Sequence, residues 1–157
     1  MITKITNYTV SDLESSIRYL LDKAADSQEV RTHALSIVST TDDKIAAIYD
    51  WVKQNFPYVN DPTFAEMFTS PVKVIRDYAA GIPIGGDCDD MAILMTALYR
   101  SVGIQSRVVL IDQTGNGLDH AYCEVWSDKL SCWVNADPSS SNIPLGWMVS
   151  YHTKITV

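Results

Sequence analysis

The sequence predicts an α+β fold, in which N-terminal helices and one buried helix pack on an antiparallel β-sheet. Apolar residues recur at helical spacing through the N-terminal half of the chain. A nearly continuous apolar run, Met91–Tyr99, follows the stretch Gly85-Gly86-Asp87-Cys88-Asp89-Asp90. Beyond Gly103 the pattern changes to short β-branched and alternating segments, which are typical of strands.

Three amphipathic helices are predicted in the first third of the chain. The first spans Asp12 to Ala25, because Ser11-Asp12-Leu13-Glu14 has the form of a capping box and apolar residues follow at helical spacing. Ser27 is predicted to cap the second helix and Asp42 the third, since both are favoured N-cap residues. Residues 58–70 are mixed in character and predict an irregular connection.

Ser70-Pro71 predicts a short helix to about Ala80, and a buried helix is then predicted from near Cys88 to Gly103. The glycines Gly85 and Gly86 give a backbone that can turn sharply before it. A cysteine in a first turn faces unpaired backbone N–H groups and the positive end of the helix dipole, which favour thiolate over thiol. The position therefore suits a nucleophilic sulfur, although a plain buried cysteine fits it equally well.

Four strands are predicted after the buried helix. Arg107–Ile111 is a β-branched run, and the glycine-containing segment 112–119 predicts a loop. His120–Trp126 and Ser131–Ala136 form a hairpin around a short turn near Asp128 and Lys129, and a last strand falls within Trp147–Val157.

The hairpin predicts a contact between His120 and Asp137. If its turn is centred between Asp128 and Lys129, the two residues lie directly opposite each other and point to the same face of the sheet. Opposed Cβ atoms are about 4.5–5.5 Å apart, which lets a carboxylate reach an imidazole N–H. In the alternative interpretation the two side chains do not meet. His120 would then be a surface residue at the end of a strand, and Asp137 a turn-forming residue before Pro138.

Four blocks of sequence carry a resemblance to a known family. They are Gly86-Asp87-Cys88-Asp89-Asp90, Ala97–Ile104, His120–Trp126 and Trp133–Pro138. Their order and spacing resemble the transglutaminase-like superfamily of cysteine enzymes, over a region from about residue 42 to about residue 147. The resemblance implies the transglutaminase-like or cysteine-proteinase fold.

The resemblance also implies a role for particular residues. Cys88 would be the nucleophile, His120 the general base and acid, and Asp137 the carboxylate that orients the histidine. The family commonly has an oxyanion donor upstream of the cysteine, for which Tyr58 is the matching candidate, although a tyrosine after Asn-Phe-Pro also suits a packing role. Asp89 and Asp90 are interpreted as helix-cap residues.

Composition limits the partners and the location. The formal net charge of −7 and the scattered basic residues argue against nucleic acid and against an anionic membrane surface. The three cysteines form no zinc-binding pattern, so neither a metal nor another cofactor is expected. No signal peptide or transmembrane segment is predicted, which favours a cytoplasmic protein or one packaged in a particle.

We interpret residues 1–157 as a single domain, with a helical extension over 1–41, a core over 42–147 and a C-terminal strand over 148–157. The compact chain looks more like the stand-alone bacterial and phage members of the family. This resemblance implies an enzyme that cleaves amide bonds of a peptide or protein substrate through a thioester at Cys88, as a peptidase or amidase. Acyl transfer to an amine remains an alternative, as does a non-catalytic binding or particle component that retains the fold. The sequence leaves the oligomeric state open.

Overall fold

The computed structural model describes residues 2–5, 8–63 and 65–157, and in these ranges the chain forms five helices and six strands. In chain order they are β1 (Ile2–Ile5), α1 (Val10–Ala25), α2 (Gln28–Val38), α3 (Lys44–Asn55), β2 (Glu66–Thr69), α4 (Pro71–Ala79), α5 (Cys88–Ser101), β3 (Ser106–Asp112), β4 (His120–Ser127), β5 (Cys132–Ala136) and β6 (Thr153–Thr156). Helices that pack on an antiparallel sheet confirm the predicted α+β class.

The main sheet has four strands in the order β5-β4-β3-β6, and every neighbouring pair is antiparallel. A separate two-stranded ribbon joins β1 to β2, with Ile2 opposite Thr69. The prediction of an irregular connection over residues 58–70 is therefore wrong for Glu66–Thr69. Four residues are too few to show a clear alternation, and their pairing partner lies more than sixty positions earlier in the chain.

Helix α5 lies at the centre of the fold. Its residues from Asp89 to Tyr99 are all buried, since α1, α2, α3, β3 and β4 all pack against it. One apolar cluster joins α5 to α2, α3 and α4, and a second joins it to α1 and β3. The helix begins at Cys88 as predicted, and Gly103 follows its end with φ of 78°.

Two predicted helix caps are wrong by one or two residues. Helix α1 is capped by Thr9, whose Oγ1 accepts the Asp12 N–H at 3.2 Å while the Asp12 carboxylate accepts the Thr9 N–H at 2.7 Å. This capping box lies two residues earlier than the predicted one of Ser11 and Glu14. Asp43, not Asp42, caps α3. None of the helices in the described ranges has both the length and the apolar character needed to cross a bilayer.

Candidate active site

The chain enters α5 through two glycines that are packed too closely to carry a side chain. Gly86 and Tyr58 form a bridge between parallel segments, in which the Val59 N–H donates to the Gly86 carbonyl at 2.8 Å. A Cβ at Gly85 would lie 2.9 Å from the Pro57 carbonyl oxygen, and a Cβ at Gly86 would lie 2.2 Å from a carboxylate oxygen of Asp90. Neither glycine has a positive φ or lies in a turn, so the sharp turn that two glycines permit is not formed here. The glycines are required instead by close approach.

Cys88 is the first residue of α5 and is half-buried. Its sulfur and the His120 imidazole line the same cleft, and the thiol lies near enough to the ring to raise the pKa of the imidazole. Cys123 is buried, which raises the pKa of its thiol to about 12, whereas Cys132 is exposed. Of the three cysteines, Cys88 alone lies beside a histidine that could accept its proton.

His120 and Asp137 form the predicted hydrogen bond. The distance from His120 Nε2 to Asp137 Oδ2 is 2.7 Å, and the second carboxylate oxygen accepts the Ser139 N–H at 3.1 Å. Because the Asp137 carboxylate is bonded to Nε2, Nδ1 is the ring nitrogen that remains available to exchange a proton with Cys88. The aspartate is almost fully buried, and the histidine side chain keeps 16% of its exposure.

The charges of this pair stabilise each other. Burial by itself would lower the pKa of His120, but the hydrogen bond with Asp137 and the nearby Cys88 outweigh it and raise that pKa to about 10. Burial would raise the pKa of Asp137, but its hydrogen bonds with His120 and Ser139 bring it below the usual value. Both shifts favour an imidazolium beside a carboxylate at neutral pH.

The register that brings the pair together differs from the predicted one. Ser127 pairs with Cys132 and Cys123 with Ala136, so the four-residue turn is centred one residue later than expected. His120 and Asp137 are therefore diagonal rather than directly opposed. Side chains alternate between the faces of a sheet, so a register displaced by two residues leaves both on the same face. Diagonal neighbours remain within reach of long side chains.

Tyr58 lines the cleft beside Cys88, on the segment that is bridged to Gly86. Partial burial and the nearby negative charges of Cys88 and Asp87 raise the pKa of its hydroxyl to about 12. The hydroxyl is therefore protonated at neutral pH and can donate a hydrogen bond into the cleft.

Three carboxylates surround the cysteine at the start of α5. One oxygen atom from each of Asp87, Asp89 and Asp90 lies within 4.8 Å of the others, a spacing that could hold a cation. Asp90 accepts the Thr69 N–H at 2.6 Å, which ties β2 to the helix. One oxygen each of Asp87 and Asp89 is buried and has no hydrogen-bond partner among the described residues.

Burial is the main cause of the perturbed acidities in this cluster. It raises the pKa of Asp89 far above its ordinary range, with added effects from Asp87 and Glu66, and it raises the pKa of Asp90 to about 7. The sequence interpretation of Asp89 and Asp90 as helix caps is wrong, because Asp87 is the N-cap residue and both lie in the first turn. It did not predict that both are buried, or that Asp90 bonds to a strand.

The cleft has a volume of about 410 Å³ and is formed by segments far apart in the sequence. Besides Cys88, His120 and Tyr58, it is lined by residues of α1, of β2 and of the loop before β4. Sequence reasoning missed these walls, because nothing local indicates that Leu13 or Glu66 lies near Cys88. A larger cavity of about 850 Å³ contains none of the predicted site residues.

The architecture is the transglutaminase-like cysteine-protease fold, with a cysteine at the start of a buried helix and a histidine on the sheet beside it. The chain belongs to the transglutaminase-like superfamily, whose sequence model matches residues 13–138. That match begins within α1, earlier than the motifs recognised in the sequence. A comparison with curated proteins finds no match.

Solved structures share the fold. A cysteine protease candidate from Cytophaga hutchinsonii is 20% identical with a TM-score of 0.56, over 99% of this chain and 60% of its own. A protease candidate from Parabacteroides distasonis is 14% identical with a TM-score of 0.55, over 82% and 30%. Legionella pneumophila LapG is 23% identical with a TM-score of 0.52, over 82% and 74%. The chain thus spans less than two thirds of the first two proteins.

Proposed function

We propose that the chain is a cysteine-dependent enzyme that cleaves amide bonds of a peptide or protein substrate, as a peptidase or amidase. The observation that carries the proposal is the 2.7 Å hydrogen bond between His120 and Asp137, in a cleft that also contains Cys88 at a helix start. A nucleophile, a base and a group that orients the base are the parts that acyl-transfer chemistry needs.

In the first half of the reaction, the Cys88 thiolate, whose proton His120 has accepted, attacks the amide carbonyl carbon and forms a C–S bond. The carbonyl electron pair moves to oxygen and gives a tetrahedral oxyanion. As this intermediate collapses, the C–N bond breaks and His120 donates its proton to the leaving amine, which leaves a thioester. The raised pKa of His120 keeps the ring protonated for this step.

In the second half, water attacks the thioester and His120 accepts its proton. The C–S bond then breaks, the carboxylic acid product leaves, and the sulfur regains its starting state. Asp137 stays ionised throughout, holds Nε2 and stabilises the imidazolium.

Two donors are available for the oxyanion. The backbone N–H of Cys88 has no partner within the helix, because it belongs to the first turn. The protonated hydroxyl of Tyr58 would be the second donor. The packing role that was also considered for Tyr58 is less well supported, since its side chain is 45% exposed.

Hydrolysis is favoured over transfer to an amine because the cleft is open to water at the reacting groups. His120 keeps part of its exposure, and Cys88 is only half-buried. An enzyme that transfers its acyl group to an amine must keep water away from the thioester.

The test is a panel of amide and peptide substrates analysed by mass spectrometry, with and without an added primary amine. The parent protein is compared with Cys88→Ala, which removes the sulfur without removing a core methylene. Hydrolysed products from the parent alone support the proposal. Products that carry the amine indicate acyl transfer, and substrate turnover by Cys88→Ala contradicts the thioester mechanism.

A further inference from the structure

We propose that the cleft selects a substrate with a lysine or arginine side chain next to the reacting amide bond. This inference rests on the proposed function and adds a substrate class to it. It is carried by the two kinds of surface that line the cleft around Cys88, one apolar and one acidic.

The apolar part of the cleft comes from α1, β2, β3 and the loop before β4. Leu13 and Phe68 are buried there, Leu118 is half-buried, and Val10 at the start of α1 is 42% exposed. Such a wall packs against the methylene groups of a long side chain and gives no stabilisation to a small polar one.

The acidic part comes from Glu66 and Asp119. Glu66 is half-buried on β2 and accepts a hydrogen bond from the Tyr8 hydroxyl at 3.4 Å, and Asp119 is exposed and accepts the Gln113 N–H at 2.9 Å. Neither carboxylate forms a salt bridge with the side chains that the structure describes.

No lysine or arginine is among the described residues that line the cleft, and the charge of the one cationic group there, the His120 imidazolium, is balanced by Asp137, so the remaining charged side chains of the cleft are carboxylates. A concave surface with charges of one sign raises the local concentration of oppositely charged ligands. Lysine and arginine are the side chains that combine an apolar stem with a cationic end. In this cleft the stem would lie on the apolar wall and the cation near Glu66 and Asp119, whereas a glutamate would be repelled.

The test uses three peptides that differ only beside the cleaved bond, where they carry lysine, norleucine or glutamate. Norleucine keeps a straight aliphatic chain and removes the charge. From the strength of partly exposed ion pairs, the parent is expected to cleave the lysine peptide about two- to fivefold better than the norleucine peptide, measured as kcat/KM. The glutamate peptide should be the poorest of the three.

Charge-removing variants identify the source of the preference. Asp119→Asn keeps the oxygen that accepts the Gln113 N–H, and the double variant Glu66→Gln/Asp119→Asn should bring the ratio of lysine to norleucine turnover close to one. The matched control for Asp119→Asn is Asp50→Asn, which removes one carboxylate charge from an exposed residue of α3 outside the cleft. This control should keep the parent ratio. An unchanged ratio in the double variant would overturn the inference.

A binding measurement separates this inference from the proposed function. Fluorescence anisotropy with Cys88→Ala compares the affinities for the three labelled peptides without any turnover. If lysine peptides bind best but the parent cleaves nothing, the proposed function fails and the ligand class holds. If the parent cleaves peptides with no preference for a basic residue, the proposed function holds and the inference fails.

Discussion

Replacing Asp137 by asparagine tests the charge coupling at the centre of the site. In the parent, the pKa of His120 lies at about 10 instead of 6.5. The loss of a hydrogen bond to a charged partner costs about 1.5–3 kcal/mol, and one pKa unit corresponds to about 1.4 kcal/mol. Asp137→Asn should therefore lower the pKa of His120 by roughly one to two units, to between about 8 and 9. The contribution of Cys88 keeps it above 6.5.

The same shift predicts how stability depends on pH. Because the pKa of His120 is raised in the folded state, its stabilisation is complete below about pH 6.5 and is lost as the pH rises toward about 10. The whole effect corresponds to about 5 kcal/mol as an upper bound. For Asp137, whose pKa is lowered, the sign is opposite, and its stabilisation is lost in acid. The free energy of unfolding in Asp137→Asn should therefore fall less between about pH 6 and about pH 10 than in the parent.

NMR titration of the histidine ring protons measures the pKa directly, and a His120→Gln variant assigns the resonance. Urea unfolding at the two pH values measures the stability, with Asp50→Asn as the control for a lost surface carboxylate. By analogy with serine enzymes, turnover of any substrate found should fall by up to about 10⁴-fold while binding is spared. A parent His120 that titrates near 6.5, or an equal pKa in both proteins, would refute the reasoning.

Three further outcomes are expected. Iodoacetamide at neutral pH should alkylate Cys88 much faster than the exposed Cys132, as read by peptide mapping, and comparable rates would remove the main support for an activated nucleophile. Gly86→Ala should destabilise the fold by roughly 1–3 kcal/mol in urea unfolding, since its Cβ would lie 2.2 Å from an Asp90 oxygen, and unchanged stability would contradict the close approach. Tyr58→Phe should lower kcat by about 10²-fold with little change in KM if the hydroxyl donates to the oxyanion, whereas a packing role predicts unchanged kcat.

The sequence predicts the parts of the fold that depend on local patterns. The apolar run after Cys88 is sufficient to place α5, because a helix with almost no polar face must be buried. The shared face of His120 and Asp137 was predicted although the register was wrong, because an error of two residues preserves the alternation of side chains. Both predictions rest on residues within one or two adjacent elements.

The parts that could not be predicted depend on contacts between distant segments. The ribbon of β1 and β2 joins residues 2–5 to residues 66–69, and neither segment shows a strand pattern by itself. The same holds for the walls of the cleft, since Leu13 and Glu66 reach Cys88 only through tertiary packing. The burial of Asp89 was also hidden, because an acidic residue in a first helical turn is ordinarily solvated.

The turn at residues 128–131 controls the site from a distance. It lies at the far end of β5 from Asp137, about 17 Å along a strand of this length, and it contains no residue of the cleft. Adding one residue to this turn would reverse the alternation of β5 relative to β4 and send the Asp137 carboxylate to the opposite side of the sheet. Removing two residues, with the turn still four residues long, would keep the side but move the carboxylate about 7 Å further from the imidazole, beyond its reach. The contact between the Asp137 carboxylate and the His120 ring therefore depends on the length of an exposed turn as strictly as on the identity of the aspartate.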